Sequence, residues 1–432
     1  MSQPSRPTAN YLSAAEATRL LGVKLQTLYA YVSRGLIRST NRVGRKERLY
    51  LREDVERVHA RAQARAGHGA VAADAMNHGQ PIIPTAITEI TPEGPRYRGR
   101  LATELASEGA SFEAVAQLLW SGAWQPEAPA WQVQPAAGEF VALVDGFGAM
   151  AQRNPVLEVF AVAVLHLGLQ RRAEAAGLPL ETRIFEEARQ IIGHLVGCCG
   201  LASAAQRFVP PRGGDRIAAG VLRALGGAAT DTNVATVSAL LALLADHELA
   251  PGTLSVRVAA SGGATLHGCI AAALCASAGL VVAHRFDEIY DFLERGGERA
   301  GWVREAVQRH AQGTPMPGFG HPLYPQGDPR GTMLLAFIRE QRPDPGLLAV
   351  CDFIEEVEQV TGQRVRHELP MVALTRAMGL PRPAASAIFL VSRTAGWVAH
   401  IQEQRASGQL LRPRARYTPA GDAAAGAFNN QS

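Results

Sequence analysis

The sequence predicts a mainly α-helical protein in two unequal parts, a small basic helical module at the front and a large all-helical body behind it. Three observations predict this. From Pro81 onward, amphipathic or apolar stretches of ten to twenty residues recur between Gly and Pro breaks. No βαβ alternation and no Gly-x-Gly-x-x-Gly after a strand occurs, which argues against a Rossmann-type domain. Residues 1–65 hold thirteen Lys and Arg against five Asp and Glu, while all 432 residues together carry only +4. A basic front therefore precedes an acidic body, and only the front suits a polyanion.

Composition sets the class. Hydrophobic residues make up 47% and charged residues 19%, as in a soluble globular protein, and the length allows two or three domains with a large core. The start, MSQPSRPTAN, is polar, so no signal peptide is expected. The longest uncharged apolar run, Gly268–Ala283, is too short and too rich in Ala and Gly for a membrane span and reads as a buried helix. Five cysteines show neither metal nor disulfide-framework spacing, which fits a reducing cytoplasm. No cofactor or metal is expected.

The first element is a helix opened by Ser13-Ala-Ala-Glu16, a capping box in which Ser13 caps and Glu16 reaches back. Ala17, Leu20 and Leu21 give it an apolar face, and Gly22-Val23 turns the chain. A second helix, Leu25 to Ser33, stops at Gly35. Leu36–Arg38 and Arg48–Leu51 read as short strands flanking a basic loop, Asn41–Glu47, and Arg52–Ala64 as a third helix. Two helices about a glycine turn form a helix-turn-helix, and the loop is its wing. The second helix offers Lys24, Gln26, Thr27, Tyr29 and Tyr31 to a DNA groove, and the wing offers Arg42, Arg45 and Lys46 to phosphates. The stretch YLSAAEATRLLGVKLQTLYAYVSRGLI resembles the MerR/excisionase type of winged helix-turn-helix, so residues 1–64 form one domain with DNA as its expected partner.

Residues 65–80 read as a linker. In the body, helices are expected over Phe112–Trp120, Pro155–Ala175, Glu186–Gly197, Asp215–Leu225, Asn233–Ala245, Gly268–Ala283, Phe286–Glu294, Pro345–Gly362 and Pro383–Gln404. Residues 418–432 are small and polar and read as a flexible tail.

The polar residues within this frame are His247, His267, His321, Arg330, Glu368, Arg393 and Arg412. Singly, each has an ordinary explanation, such as a helix-end cap, a satisfied core histidine or a solvated charge. Together, arginines suit a substrate with several carboxylates, histidines in glycine-lined turns suit a carbonyl oxygen, and one carboxylate suits a proton taken from carbon. The stretch PMPGFGHPLYPQGDPR, Pro315–Arg330, is too rich in Pro and Gly for a helix or a central strand and presents His321 stiffly.

GFGHPLYPQGDPR resembles the signature of the citrate synthase family. DHEL at 246–249, LHG at 266–268, RTAGWVAHIQEQ at 393–404 and RPRARY at 412–417 follow in the family's order, as do AITEITPEGPRYRGR and FEAVAQLLWSGAW earlier. The resemblance, over about Ile82 to Tyr417, implies a two-domain all-α homodimer with a large domain at 81–268 and 382–417 and a small one at 269–381. It implies an acyltransferase that condenses acetyl-CoA, a substrate rather than a cofactor, with oxaloacetate. His267 would stabilise the enol of the acetyl group, and His321 would bind the oxaloacetate carbonyl as an acid. Glu368 would be the base. His247, Arg330 and Arg393 would hold oxaloacetate, with Arg412 reaching across from the other subunit. The backbone of Pro315, Met316, Pro317, Gly318, Phe319 and Gly320 would wrap the CoA adenine.

Three positions depart from the family's pattern. Glu368 stands where aspartate is usual, Gly268-Cys269-Ile270-Ala271 replaces Gly-Gly-Ala-Asn, and Pro325 replaces a basic residue. Propionyl-CoA as the acyl donor stays open, since one methylene in a pocket discriminates by only about 1–3 kcal/mol. So does a DNA-binding regulator whose body senses CoA or tricarboxylates.

Overall fold

The computed structural model describes residues 11–33, 36–41, 48–52, 54–55, 58, 83–153, 156–170, 180–279, 282 and 284–413. The chain forms two compact units, Met1–Pro84 with Arg412–Ser432, and Thr85–Leu411. The expected linker and tail lie outside the described residues.

In the first unit, β1 (Tyr11–Leu12) leads into α1 (Ala14–Leu21) and α2 (Leu25–Ser33), followed by β2 (Ser39–Asn41) and β3 (Arg48–Leu51). The capping box forms: Ser13 Oγ accepts from the Glu16 amide at 3.3 Å, and the Ser13 amide donates to Glu16 Oε2 at 2.8 Å. Gly22 closes α1 in the left-handed conformation. The strands form an antiparallel sheet in the order β1-β3-β2. The expected strand at Leu36–Arg38 is thus shifted to Ser39–Asn41. Arg38 instead turns its amide and Nε to the buried Asp54 at 2.9 and 2.8 Å. Leu12, Ala17, Leu21, Leu28, Ile37, Tyr50, Val55 and Val58 make the core. Arg42, Arg45 and Lys46 lie outside the described residues, as does most of the expected third helix.

The second unit opens with a small antiparallel sheet, β4 (Thr88–Thr91), β5 (Gly94–Tyr97) and β6 (Arg100–Leu101). Helices then follow: α3 (Ala102–Ser107), α4 (Phe112–Ser121), α5 (Gly138–Gly146), α6 (Val156–Gln170), α7 (Leu180–Cys198), α8 (Ile217–Ala224), α9 (Asp231–Leu243), α10 (Pro251–Ser261), α11 (Leu266–Ser277), α12 (His284–Gly296), α13 (Arg299–Ala311), α14 (Pro329–Gln341), α15 (Pro345–Thr361), α16 (Glu368–Ala377) and α17 (Ala384–Ser407).

Helix α17 is long and apolar enough to cross a membrane, but it is buried along nearly its whole length as the core helix of this unit. It packs on α4, α9, α10 and α11. Residues at every fourth position are pinned: Ser392 Oγ donates to the Leu241 carbonyl at 2.6 Å and the Gly396 amide to the Ala245 carbonyl at 3.0 Å. His400 Nε2 lies 3.2 Å from Asp246 Oδ2, and Gln404 accepts from Arg257 at 2.9 Å. A side chain at Gly396 would overlap Asp246 and the Ala245 carbonyl.

Helices α12 to α16, within the expected small domain, pack chiefly on one another. Helix α11, most of which follows the expected 268/269 boundary, packs on α6, α10 and α17. The uncharged stretch Gly268–Ala283 is not one helix, because α11 ends at Ser277 and α12 begins at His284.

Candidate active site

The second unit gathers a buried polar cluster from helix ends and one loop. His247 follows α9, and His321 and Tyr324 lie in the loop before α14. Arg330 stands in the first turn of α14, Glu368 opens α16, and Arg393 comes from the middle of α17. The His247 and His321 rings lie 5.6 Å apart, and the Tyr324 ring lies 4.9 Å from His321. The Tyr324 hydroxyl is 3.1 Å from His247 Nε2.

The loop takes its shape from Gly and Pro. Gly318 has φ +80, and a Cβ there would lie 2.6 Å from that of Leu369, so only glycine fits. Phe319 and Val365 form an antiparallel bridge, with the Gly320 amide on the Arg364 carbonyl and the Arg366 amide on the Gly318 carbonyl, each at 2.8 Å. Of the six residues assigned to CoA, Pro315 and Gly320 are exposed, Gly318 is half-buried, and Met316, Pro317 and Phe319 are buried. A cavity of about 410 Å³ beside the loop is lined by Gly320, His321, Tyr324, Pro325, Gln363 and Arg364, among others.

Asp328 ends the loop. It caps α14 by accepting the Arg330 amide at 3.1 Å and takes Arg330 Nε and Nη2 at 2.9 Å each. His367 Nδ1 donates at 2.9 Å to Oδ2, the oxygen that also accepts Arg330 Nη2. Burial works against the Asp328 charge, yet Arg330 and His367 hold its carboxyl well below the usual range. Burial also opposes the charge on Arg330, which Asp328 more than restores.

Two neutral imidazoles face this charge. Burial, then Arg330, pushes His321 down to about 3. Burial with Arg330 and Arg393 puts His247 well below its ordinary value. The Leu323 amide donates to His321 Nδ1 at 3.1 Å, which favours the proton on Nε2, the nitrogen that lies 3.5 Å from Arg330 Nη2. Burial lifts Tyr324 to about 12, leaving a protonated hydroxyl.

Arg393 is 3% exposed, and burial draws it down to about 10 against the favourable charge of Asp246. Its Nε and Nη1, with Arg330 Nη1, are buried donors without a protein partner. Buried unpaired donors on fixed cations are costly unless something accepts from them.

Glu368 is buried and held on both oxygens. Arg366 Nε donates at 3.1 Å and Nη2 at 2.5 Å, while His367 Nδ1 lies 3.3 Å away and Arg285 4.0 Å away. Burial resists its ionisation, but His367 and Arg366 hold it down at about 2. Since burial and Arg330 push His367 toward its neutral form, the standing positive partner is Arg366. The donor atoms of Asp328, His367 and Glu368 lie within 4.8 Å of one another, but Arg330 and Arg366 already occupy these carboxylates.

The structure does not bring His267 to this cluster. His267 sits in the first turn of α11, packed on Gly168 of α6, and its Nδ1 donates to Glu187 of α7 at 3.0 Å. Arg412 comes after Leu411, the last residue of this unit, and is exposed. Sequence reasoning did not single out Tyr324, Asp328, Arg366 or His367. Asp328 could have been found from the Asp-Pro-Arg triplet, a helix-cap signal; the others have no local signal. Lys24, just before α2, and Gln26 and Tyr29 on it are exposed, and Thr27 and Tyr31 are half-buried.

Comparison with known proteins gives the family and the fold. The family model "Citrate synthase, C-terminal domain" matches residues 76–414, and "Helix-turn-helix domain" matches residues 11–61. The chain is 27% identical to the citrate synthase of Haloferax volcanii over 341 residues, covering 74% of this chain and 89% of the relative. It is 27% identical over 214 residues to the 2-methylcitrate synthase of Shewanella oneidensis, covering 47% and 56%. The fold is similar to the crystal structure of citrate synthase from Thermotoga maritima, with TM-score 0.62, 21% identity, and 78% and 94% coverage. It is similar to the Thermoplasma acidophilum citrate synthase solved as a ternary complex with carboxymethyl coenzyme A and oxaloacetate, with TM-score 0.62, 20% identity, and 79% and 97% coverage.

Proposed function

The chain belongs to the citrate synthase family, and from that membership we propose that it is a citrate synthase-type acyltransferase, joining acetyl-CoA to oxaloacetate to give citrate and CoA. The observation that carries the reading is the set of buried guanidinium donors without protein partners, Arg330 Nη1 and Arg393 Nε and Nη1, beside two neutral imidazoles. A small 2-oxo dicarboxylate satisfies them: its carboxylates take the arginines, and its carbonyl oxygen takes the Nε2 proton of His321, with His247 alongside. The ternary complex solved for the Thermoplasma acidophilum enzyme supports this substrate pair.

In the reaction, Glu368 takes a proton from the thioester methyl. The carbon then attacks the 2-oxo carbon, His321 protonates the new alkoxide, and water cleaves the thioester to release CoA. His267, bonded to Glu187 in this structure, would stabilise the enol of the acetyl group. The exposed apolar residues Val162, Leu165 and Leu169 along α6 support a second copy covering that face, and the reading places Arg412 at the neighbouring subunit's site in such a dimer. The relative from Shewanella oneidensis supports propionyl-CoA as an alternative donor. Thiol release with acetyl- or propionyl-CoA plus oxaloacetate tests the proposal; no release with either donor across several 2-oxo acids sinks it.

A second reading, a DNA-binding regulator with this body as its sensor, is favoured by the helix-turn-helix match and the exposed Lys24, Gln26 and Tyr29. It expects salt-dependent DNA retardation that changes with CoA or a tricarboxylate.

A further inference from the structure

The proposed reaction needs Glu368 free to take a proton, yet its carboxylate is gripped. Arg366 holds both of its oxygens from two residues away, and its side chain is only 11% exposed, so this is no solvated surface pair. Arg285 from α12 faces the same carboxylate, as do His367 beside it and the Asp328–Arg330 pair from the start of α14. A carboxylate whose two oxygens both accept charged hydrogen bonds is a weak base.

The same arginine is tied to the loop. Its amide donates to the Gly318 carbonyl, its Nη1 lies 3.5 Å from the Gly320 carbonyl, and Phe319 bridges Val365 next to it. The backbone of residues 364–366 is therefore joined to Gly318–Gly320 by one bridge and two amide hydrogen bonds. Gly318 in turn touches Leu369, the residue after Glu368, so closely that no side chain fits between them. A shift of that loop is passed on to both ends of the Arg366–Glu368 pair.

We propose that Arg366 is a latch on Glu368, closed in the unliganded protein and opened when an acyl-CoA seats on the Gly318–Gly320 loop. The latch rests on the reading of Glu368 as the base and of that loop as the acyl-CoA contact. Arg366 acts through Glu368 and is a positioning residue. It keeps the base unreactive until the thioester arrives, so that proton abstraction follows binding.

The test uses the full chain with Arg366→Gln, Arg366→Lys, Glu368→Gln and the double variant Arg366→Gln/Glu368→Gln. Its first arm needs no activity. Unfolding equilibria of the wild type, the two glutamine variants and the double variant should show coupling of about tenfold or more at pH 7. Because Glu368 is held below its ordinary value, the coupling is complete above about pH 4.5 and fades as pH falls toward 2. Arg366→Lys should retain part of it.

The second arm measures acetyl-CoA binding by calorimetry without oxaloacetate, so that no condensation takes place. Arg366→Gln should bind several-fold tighter, since no ion pair has to open. Absent coupling overturns the latch. Coupling with unchanged acetyl-CoA affinity makes the pair a fixed scaffold and also overturns it. A wild type that binds no acetyl-CoA overturns the latch together with the reading of the loop, and is recognised by intact coupling in the first arm.

Discussion

Replacing Arg393 with methionine should separate binding from folding. Arg393 is buried in α17 with its guanidinium 4.8 Å over the Phe389 ring, and its Nε and Nη1 have no protein partner. Each hydrogen bond from a charged group is worth about 1.5–3 kcal/mol. Loss of two donors to a substrate carboxylate should therefore cost about 3–6 kcal/mol, or roughly 10²–10⁴-fold in oxaloacetate affinity. The unliganded fold should not pay the same penalty. Methionine removes two unpaired buried donors and a buried charge, a change that is often neutral or stabilising. Asp246 loses a neighbouring cation but keeps His400 at 3.2 Å and the Glu248 amide at 3.0 Å. Calorimetric titration with oxaloacetate, run beside urea unfolding without ligand, measures both quantities. Affinity within about fivefold of wild type, or a stability loss beyond about 3 kcal/mol, would show that Arg393 is a structural residue and that the substrate lies elsewhere.

Other expectations follow from the same geometry. Glu368→Ala should abolish thiol release while leaving calorimetric oxaloacetate binding within a few-fold; unchanged release would remove Glu368 as the base. His321, held at about 3, stays neutral in the fold while the unfolded chain protonates near its ordinary value. It therefore costs no stability above about pH 6.5 and progressively more as pH falls toward 3, so His321→Asn should flatten the acid side of a stability-against-pH curve. Gly396→Ala should destabilise by about 1–3 kcal/mol through overlap with Asp246 and the Ala245 carbonyl, read as a lowered unfolding midpoint. If the front binds DNA, Lys24→Ala should weaken it for all sequences alike and reduce the salt slope by about one; a slope unchanged from wild type would place Lys24 away from phosphate.

Much of this was legible in the sequence because it is local. The Ser13–Glu16 capping box and the Gly22 stop use signals within one turn, and both form. The Pro- and Gly-rich stretch before Arg330 shows its stiffness in composition, and Asp328-Pro329-Arg330 marks a capped helix start. Less local features were misjudged or missed. The run from Gly268 to Ala283 looked like one helix because no charge divides it, although Gly279 follows the end of α11 and a new helix opens at His284. Helices α10 and α13 lack strong apolar periodicity and are held by packing against their neighbours. The grip of Arg366 on Glu368 is only two residues long, yet it depends on rotamers that letters do not carry. The pairing of His267 with Glu187 joins residues eighty positions apart.

The pinning of α17 has a mechanical consequence. A helix that can slide past its neighbours does so in steps of a turn, about 5.4 Å. With Ser392, Gly396, His400 and Gln404 each tied to a separate partner on α9, α10 or the segment between them, a one-turn slip would break all four ties at once. Arg393 is thereby a fixed post. Any travel of the loop before α14 or of the helices from α12 to α16 therefore takes place against an arginine that stays where it is.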